Sequence, residues 1–315
     1  PANLVENRDG TKAARPRHPL LAEGRVRFVG EAIAMVVAET AMQARDAAEL
    51  IEVDYDDLPV KLDIASGGPL LHEAALENRA FDWGMGNEIA TQAAIAAAAH
   101  VVTLSVHDNR LISNPMEARA VWADIEEDRL HICLSGQNVW NTKRNAAEIL
   151  GMAAEDIRVT IPDVGGGFGT KAPDYAETFL VAQAARMLDR PVRWMADRTE
   201  TMLSDNAARD LDHDLTLAFD ADLRITAYKV ETRCNLGAYN SPFAQPIQTN
   251  LFSRVLTGAY DIPAAWLRVE GIYTNTTPVD AYRGAGRPEA IYALERIMDR
   301  AARQLGVDPF DLHRR

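Results

Sequence analysis

The sequence contains a short stretch with four glycines around one phenylalanine, PDVGGGFGTK at residues 162–171. Glycine adopts positive φ without steric cost and lets another group touch the main chain, but it loses more entropy on folding than other residues. A second glycine-rich stretch, AYRGAGRPE at residues 281–289, has the same style, and each precedes a helical pattern. Two such loops could present backbone N–H groups to one anionic ligand from two sides.

Neither loop matches the common phosphate-binding motifs. Counted from Gly165 and Gly167, the last glycine of G-x-G-x-x-G is replaced by Thr170, so the dinucleotide fingerprint fails. The P-loop pattern also fails, because Lys171 follows that threonine and precedes Ala172. A glycine turn without function explains one such loop equally well, and the second loop favours a ligand.

Composition narrows the class of protein. Hydrophobic residues make up 47% and charged residues 25% of the 315 residues, as in ordinary globular proteins. The net charge of −13 is unlike that of a nucleic-acid-binding surface, and no apolar run approaches the roughly 18 residues of a membrane span. Cys133 and Cys234 lack metal-ligand spacing. We therefore expect a cytoplasmic protein without nucleic-acid partners.

The first part of the chain has the pattern of a small α/β unit. Residues 26–40 predict a pair of buried strands, and residues 51–60 predict a further strand. Between them, Thr40 and Gln43 have capping-box spacing, which predicts a helix. Residues 66–100 lack a clear period and are interpreted as a linker.

The rest of the chain alternates strands and helices and predicts an α+β class in two domains, residues 1–80 and 81–315. The segment 236–260 is interpreted as a long irregular connection. Strands are predicted near residues 100–109, 121–125, 130–134, 157–162, 190–194, 213–219, 224–235 and 267–274, and helices near 138–150, 175–188 and 289–305.

Four motifs occur in a fixed order: SGQN at 135–138, GGGFGTK at 165–171, DRTE at 197–200 and AYRGAGRPE at 281–289. Together they resemble the molybdopterin-binding large subunit of the xanthine dehydrogenase, aldehyde oxidase and carbon monoxide dehydrogenase family. The N-terminal segment is similar to that family's hammerhead domain. The resemblance implies a hammerhead-type α/β domain, incomplete at its N-terminus, followed by the first part of a molybdopterin-binding α+β domain, with the C-terminal cofactor domain absent.

The resemblance also implies an activity and its cofactors. The expected protein is part of the catalytic subunit of a molybdenum hydroxylase, which oxidises a small molecule with oxygen derived from water. The expected cofactor is molybdenum–molybdopterin in its cytosine dinucleotide form, with 2Fe–2S clusters and FAD on partner chains. The implied partners are an iron–sulfur subunit, an FAD subunit and the C-terminal half of the molybdopterin subunit.

The family's site residues are carried over position by position. Gln137 is expected to hydrogen-bond a molybdenum oxo ligand, which suits a neutral amide donor, and Phe168 is expected to shield the cofactor from water. A strand-end contact for Gln137, a core position for Phe168 and a structural ion pair for Arg283 are the alternatives. No direct protein ligand to the metal is expected. The expected cofactor-contacting residues are Gln137, Gly166, Gly167, Phe168, Gly169, Arg283 and Gly284.

Departures from the family pattern restrict the expected substrate to an aldehyde or an N-heteroaromatic compound. Copper-containing carbon monoxide dehydrogenases carry a cysteine where this chain has Gly284, and copper(I) needs that soft ligand. Purine-oxidising members carry an acid at the position of Ala172 and an aromatic residue at that of Ala285. The expected substrate-channel residues are Phe243, Leu251, Phe252 and Ala285.

No general base is assigned. The family's catalytic glutamate is expected beyond the end of this chain, so the isolated chain is expected to be inactive; Glu117 and Glu177 do not fit its position. His107, His131 and His213 lack metal-ligand spacing and are interpreted as structural. A non-copper carbon monoxide dehydrogenase-like subunit, a non-catalytic scaffold and an unrelated phosphate- or nucleotide-binding enzyme remain as alternatives.

Overall fold

The computed structural model describes residues 4–315, and its largest sheet has five strands. In spatial order the strands are β1 (Arg79–Gly86), β11 (Ala265–Tyr273), β10 (Ile225–Gly237), β9 (Leu211–Phe219) and β2 (His100–Asp108). Neighbouring strands of this sheet are antiparallel except for one parallel pair, β10 with β11.

A long helix, α7 (Arg287–Leu305), packs on strands β2 and β9 of this sheet. Its buried side chains recur at helical spacing, which forms one apolar stripe facing the core. The helix ends at Gly306, which has φ +71°, the left-handed conformation that glycine adopts freely. The stripe consists of Ala290, Ala293, Leu294, Ile297, Met298, Ala301 and Ala302.

A four-stranded sheet forms a second core with two helices, and its positions agree with the sequence prediction. The helix before the first glycine loop ends at Gly151, as predicted, with φ +63°. The strands in spatial order are β6 (Ile157–Thr160), β5 (Arg129–Leu134), β4 (Ala120–Glu126) and β7 (Val192–Met195), and the helices are α3 (Val139–Leu150) and α4 (Ala176–Leu188).

The predicted irregular segment 236–260 is partly helical. It contains α6 (Ala244–Pro246), which continues into a π-helical turn at Ile247–Leu251. Such turns are rare and are often found near functional sites. Further short elements are β3 (Leu111–Ile112) paired with β8 (Ala207–Ala208), α5 (Arg198–Ser204), α8 (Pro309–His313) and two 3-10 helices at Leu76–Asn78 and Ala154–Asp156.

The predicted linker at 66–100 is wrong in its second half, which contains β1 and helix α2 (Glu88–Ala97). The strand pattern was hidden because glycine stands where Trp266 crosses the strand: a Cβ on Gly84 would lie 2.6 Å from that ring. The helix does carry a recognisable start, since the Asn87 side chain accepts the N–H of Ala90.

The N-terminal segment differs most from the prediction. Helix α1 (Ala41–Ala48) begins with the predicted capping box of Thr40 and Gln43. The strands predicted at 26–40 and 51–60 are wrong, because neither segment joins a hydrogen-bonded ladder within residues 4–315. Their apolar side chains remain on the surface: Val29 is 76% exposed. An alternating pattern makes a strand only where a partner strand pairs with it.

Candidate functional site

The two glycine-rich loops come from different sheets and meet at one surface. The first, residues 162–171, connects β6 to α4, and the second, residues 281–289, follows β11 and runs into α7. The Arg283 N–H donates a hydrogen bond to the Phe168 carbonyl oxygen at 2.8 Å. The two loops, far apart in sequence, are therefore joined at this surface by a backbone hydrogen bond.

Three glycines of the first loop are required by close approach of other protein groups. A Cβ on Gly165 would lie 2.6 Å from the Cβ of Glu117, and one on Gly167 would lie 2.5 Å from Oε1 of Gln137. At Gly169, which also has φ +106°, it would lie 2.5 Å from a carbonyl oxygen of the second loop. Real Cβ atoms essentially never come this close to another atom, so a neighbouring group would have to move at each of these positions. Packing within the protein thus accounts for these glycines.

Gln137 is placed directly against the first loop. Its Oε1 accepts the Gly169 N–H at 3.0 Å, and its own backbone N–H donates to the Lys171 carbonyl oxygen at 3.0 Å. The bond from Gly169 fixes which way the amide points. Within residues 4–315 the Nε2 donors of Gln137 have no hydrogen-bond partner, and the side chain is exposed. Two free N–H donors therefore remain at the rim of the loop.

Phe168 has a strained backbone and an accessible ring. Its φ is +53°, in the left-handed region that bulky residues rarely adopt. The ring folds over Gly166, whose Cβ would lie 3.0 Å from Cε2 of the ring, and 45% of Phe168 stays exposed. The alternative of an ordinary core aromatic does not describe this residue.

The second loop turns through three consecutive residues with positive φ, Gly284 (+89°), Ala285 (+23°) and Gly286 (+85°). Gly286 presses on the π-helical turn, because a Cβ there would lie 2.6 Å from the Ile247 carbonyl oxygen. The Arg283 side chain is exposed, and among residues 4–315 it forms no ion pair and no side-chain hydrogen bond. The structural ion pair considered for Arg283 is therefore not present in the described chain.

The four expected channel residues lie near the second loop but differ in accessibility. Leu251 touches Gly286 and is partly buried, as is Phe243, while Ala285 is in the loop itself. Phe252 is only 1% exposed and belongs to the main hydrophobic core. We therefore assign Phe252 to packing.

Two carboxylates near the first loop are paired with cations. Glu117 accepts a hydrogen bond from the Lys171 ammonium at 2.9 Å, and Glu177 contacts the buried Arg119. Burial acts to raise the pKa of Glu117, but the hydrogen bond from Lys171 and its other donors outweigh burial and lower it. Burial raises the pKa of Glu177, opposed by the charge of Arg119. Neither carboxylate is a free base at the loop surface.

The second loop rests on a buried ion pair that the sequence analysis missed. Arg209 donates to Glu289 Oε1 at 2.8 Å, and their side chains are only 8% and 1% exposed. The same guanidinium lies 5.1 Å from the Tyr282 ring centroid and donates weakly to the Arg283 carbonyl oxygen at 3.4 Å. Glu289 is the last residue of the AYRGAGRPE motif. Arg209 belongs to no recognisable motif, because only the fold brings it under the loop.

Asp280 holds the start of the second loop and was also missed. Its Oδ1 accepts the Ala281 N–H at 2.5 Å, and its Oδ2 accepts the Phe243 N–H at 3.3 Å. The side chain is buried. Burial raises the pKa of this carboxyl to about 6, against the opposing effect of the hydrogen bonds it accepts.

The three histidines on or near the predicted strands have local hydrogen-bond partners. His107 bonds Asp212 at 2.9 Å, His131 bonds Thr160 at 2.7 Å, and His213 bonds a threonine of the neighbouring strand. No group of three or more histidine, cysteine, aspartate or glutamate side chains within residues 4–315 could hold a metal ion.

A cleft of about 1720 Å³ opens between the N-terminal segment and the sheet that carries α3 and α4. Its walls include Met35 and Trp194, and it borders the first loop at Pro162. Gln137 and Phe168 do not line it, so this cleft is distinct from the loop surface around those two residues.

Comparisons with known families agree with this architecture. Residues 71–315 match the molybdopterin cofactor-binding domain, and residues 2–59 match the a/b hammerhead domain of aldehyde oxidase and xanthine dehydrogenase. The chain belongs to the molybdopterin cofactor-binding family. The predicted family and the predicted α+β class with a hammerhead unit are thereby confirmed.

Individual relatives extend the comparison. The chain is 36% identical to the nicotine 6-hydroxylase large subunit of Paenarthrobacter nicotinovorans, over 94% of this chain and 37% of the relative. The structure of quinoline 2-oxidoreductase from Pseudomonas putida 86 is 36% identical, with a TM-score of 0.86 over 95% of this chain and 39% of that one. Reconstituted CO dehydrogenase from Oligotropha carboxidovorans is 31% identical, with a TM-score of 0.88 over 93% and 39%. The chain spans under two fifths of each relative.

Within residues 4–315, none of the helices combines the length and the apolar character that crossing a bilayer requires.

Proposed function

We propose that this chain is part of the catalytic subunit of a molybdenum hydroxylase, which oxidises an aldehyde or an N-heteroaromatic compound with oxygen derived from water. The observation that carries the proposal is the free amide of Gln137 beside the joined glycine loops. Membership of a molybdopterin cofactor-binding family supports it.

The residues at the loop surface suit an oxygen-rich cofactor. Gln137 offers two N–H donors whose direction is set by its bond to Gly169. Gly165 and Gly284 expose their backbone at this surface, while Glu117 and Pro288 fill the places that a Cβ would take. Phe168 supplies an accessible apolar ring next to these polar groups, which limits the entry of water. Gln137, the first loop around Phe168 and the backbone of residues 283–284 would hold the cofactor.

When bound, molybdenum–molybdopterin supplies the two-electron oxidation of the substrate carbon. We propose the cytosine dinucleotide form, and 2Fe–2S and FAD partner chains that accept the electrons. The description of one relative as a large subunit supports a multi-chain assembly. We also propose a cytoplasmic location, because Cys133 and Cys234 are both free thiols, as in reducing compartments.

The substrate class is proposed from the second loop and the relatives. Two relatives are named for nicotine and quinoline, which are both N-heteroaromatic compounds. Gly284 offers no thiolate for copper(I), and its φ of +89° disfavours a cysteine side chain. Oxidation of carbon monoxide by a copper-containing site is therefore not proposed. Phe243, Leu251 and Ala285 are the proposed channel residues.

The test assays the complete protein with its partner chains in ¹⁸O-labelled water, against panels of aldehydes and N-heteroaromatic compounds. The expected product carries one labelled oxygen. Gln137→Ala should lower kcat about ten- to hundredfold, the cost of one hydrogen bond to a charged acceptor, with an unchanged melting temperature. Gln92→Ala, at an exposed position of α2, is the matched control and should have no effect. Unlabelled product, or no turnover of any compound, would refute the proposed reaction.

A further inference from the structure

One carboxylate oxygen joins three separate segments around the first glycine loop. Oε2 of Glu117 accepts hydrogen bonds from Ser135 Oγ at 2.7 Å, from the Gly165 N–H at 2.9 Å and from Lys171 Nζ at 2.9 Å. Ser135 follows strand β5, Gly165 is the first glycine of the loop and Lys171 is its last residue. The oxygen thus closes the loop on itself and attaches it to the segment that carries Gln137.

The backbone of Glu117 strengthens this attachment. Its N–H donates to the Gly165 carbonyl oxygen at 3.1 Å, so Glu117 and Gly165 bond each other in both directions. The approach is close enough that no side chain fits at Gly165, where a Cβ would lie 2.6 Å from the Cβ of Glu117. The first glycine of the loop is therefore required by Glu117.

Lys171 connects Glu117 to Gln137, the candidate hydrogen-bond donor to the cofactor. Its side chain is fully buried, and Glu117, 39% exposed, is its only ion-pair partner within the described chain. Its carbonyl oxygen accepts the Gln137 backbone N–H. A shift of the lysine would move Gln137 relative to Gly169, whose N–H fixes the orientation of the amide.

We propose that Glu117 and Lys171 are a charge pair that positions the first glycine loop and Gln137 for cofactor binding. Neither residue needs to touch the cofactor or the substrate, so both are positioning residues. This inference rests on the proposed function for its consequence, cofactor retention, but its structural part concerns this chain's own residues. A pair that served only to stabilise the fold would make different predictions for the variants below.

The first measurement is amide hydrogen exchange across residues 162–175 of the complete protein. Glu117→Gln and Lys171→Met should each speed exchange of the loop amides by at least about tenfold, because local opening becomes easier. The matched control Glu23→Gln removes an exposed ion pair with Arg17 that has no hydrogen bond to the loop, and it should leave this exchange unchanged. Unchanged loop exchange in both pair variants would overturn the positioning role.

The second measurement separates positioning from fold stability. Glu117→Gln combined with Lys171→Met leaves no unpaired buried charge, so the double variant should regain most of the melting temperature lost by the single variants. Its molybdenum content per chain should nevertheless stay below about half of the wild-type value, because the ionic link between the loop ends is gone. Recovery of molybdenum in step with the melting temperature would show a merely structural pair and overturn the proposal.

The two measurements also distinguish this inference from the proposed function. Faster loop exchange in the pair variants, together with a wild-type protein that carries no molybdenum, would support the positioning of the loop and refute the molybdenum hydroxylase. Normal molybdenum in the wild type and in both single variants would refute the positioning role and leave the hydroxylase standing.

Discussion

The two glycine loops face the same surface but are held in different ways. The first is fastened at the rim by Glu117, a partly exposed carboxylate, and by close contacts at its glycines. The second stands on the buried Arg209–Glu289 pair and on buried Asp280. Changes at the first loop should therefore affect ligand retention more than folding, whereas changes beneath the second should affect folding first.

The largest expected effect is on the second loop. Arg209→Met leaves Glu289 buried without its counter-charge, and breaking a buried ion pair in this way costs about 3–5 kcal/mol. We expect the urea midpoint of the complete protein to fall accordingly. Arg296→Met, on the exposed side of α7, is the matched control and should change stability by less than about 0.5 kcal/mol.

A double variant sharpens this prediction. Glu289→Gln added to Arg209→Met removes the orphaned charge, so most of the lost stability should return. If the single Arg209→Met variant is as stable as the wild type, the second loop does not depend on its buried pair and the contrast between the loops is wrong.

The next effect depends on pH and concerns Asp280. Its folded-state pKa of about 6 exceeds the ordinary value of 3.8 because the carboxyl is buried. The folded state thus binds this proton more tightly than the unfolded state, and stability falls as pH rises through this range. Asp280→Asn should remove about 2 kcal/mol of pH dependence between pH 4.5 and 7.

The check is the difference in free energy of unfolding between wild type and variant at each pH. Asp222→Asn, at an exposed turn position, is the control and should leave the pH profile as it is. If stability depends on pH in the same way in the wild type and in Asp280→Asn, the second loop does not hold a carboxyl whose pKa is raised by burial.

The smallest expected effect is on the first loop, at Phe168. Its φ of +53° is strained for a residue with a side chain. A glycine at this position removes both the ring and the strain, whereas an alanine removes the ring and keeps the strain. Phe168→Gly should therefore be more stable than Phe168→Ala by about 1 kcal/mol. Both variants lose the exposed ring, so both should retain less cofactor than the wild type. Equal stability of the two variants would mean that the loop relaxes without the ring.

Much of the fold could be predicted because helix ends and strand alternation are local. Helix α3 ends at Gly151 and helix α1 begins after Thr40, as the capping chemistry of these residues predicts. The strands at 26–40 and 51–60 could not be judged from alternation, because pairing depends on a partner elsewhere. Strand β1 was missed because Trp266, distant in sequence, explains its glycine.

The sequence motifs identified the loop residues of the candidate site, but they did not identify the buried residues that hold the second loop in place. Sequence motifs placed Gln137, Phe168 and Arg283 in three separate segments, and the structure brings the three together. Their individual roles toward a cofactor remain predictions. Arg209 and Asp280 hold the loop from beneath, and no local pattern identifies a buried support of that kind.

The central claim is that the joined loops form part of a molybdopterin site. The most direct test is the molybdenum and pterin content of the complete protein purified from its native host, compared with Gly167→Val. The wild type should carry stoichiometric molybdenum and pterin, and the variant should lose both, because a side chain there would displace Gln137. A wild-type protein without either, or a fully loaded Gly167→Val variant, would contradict the account.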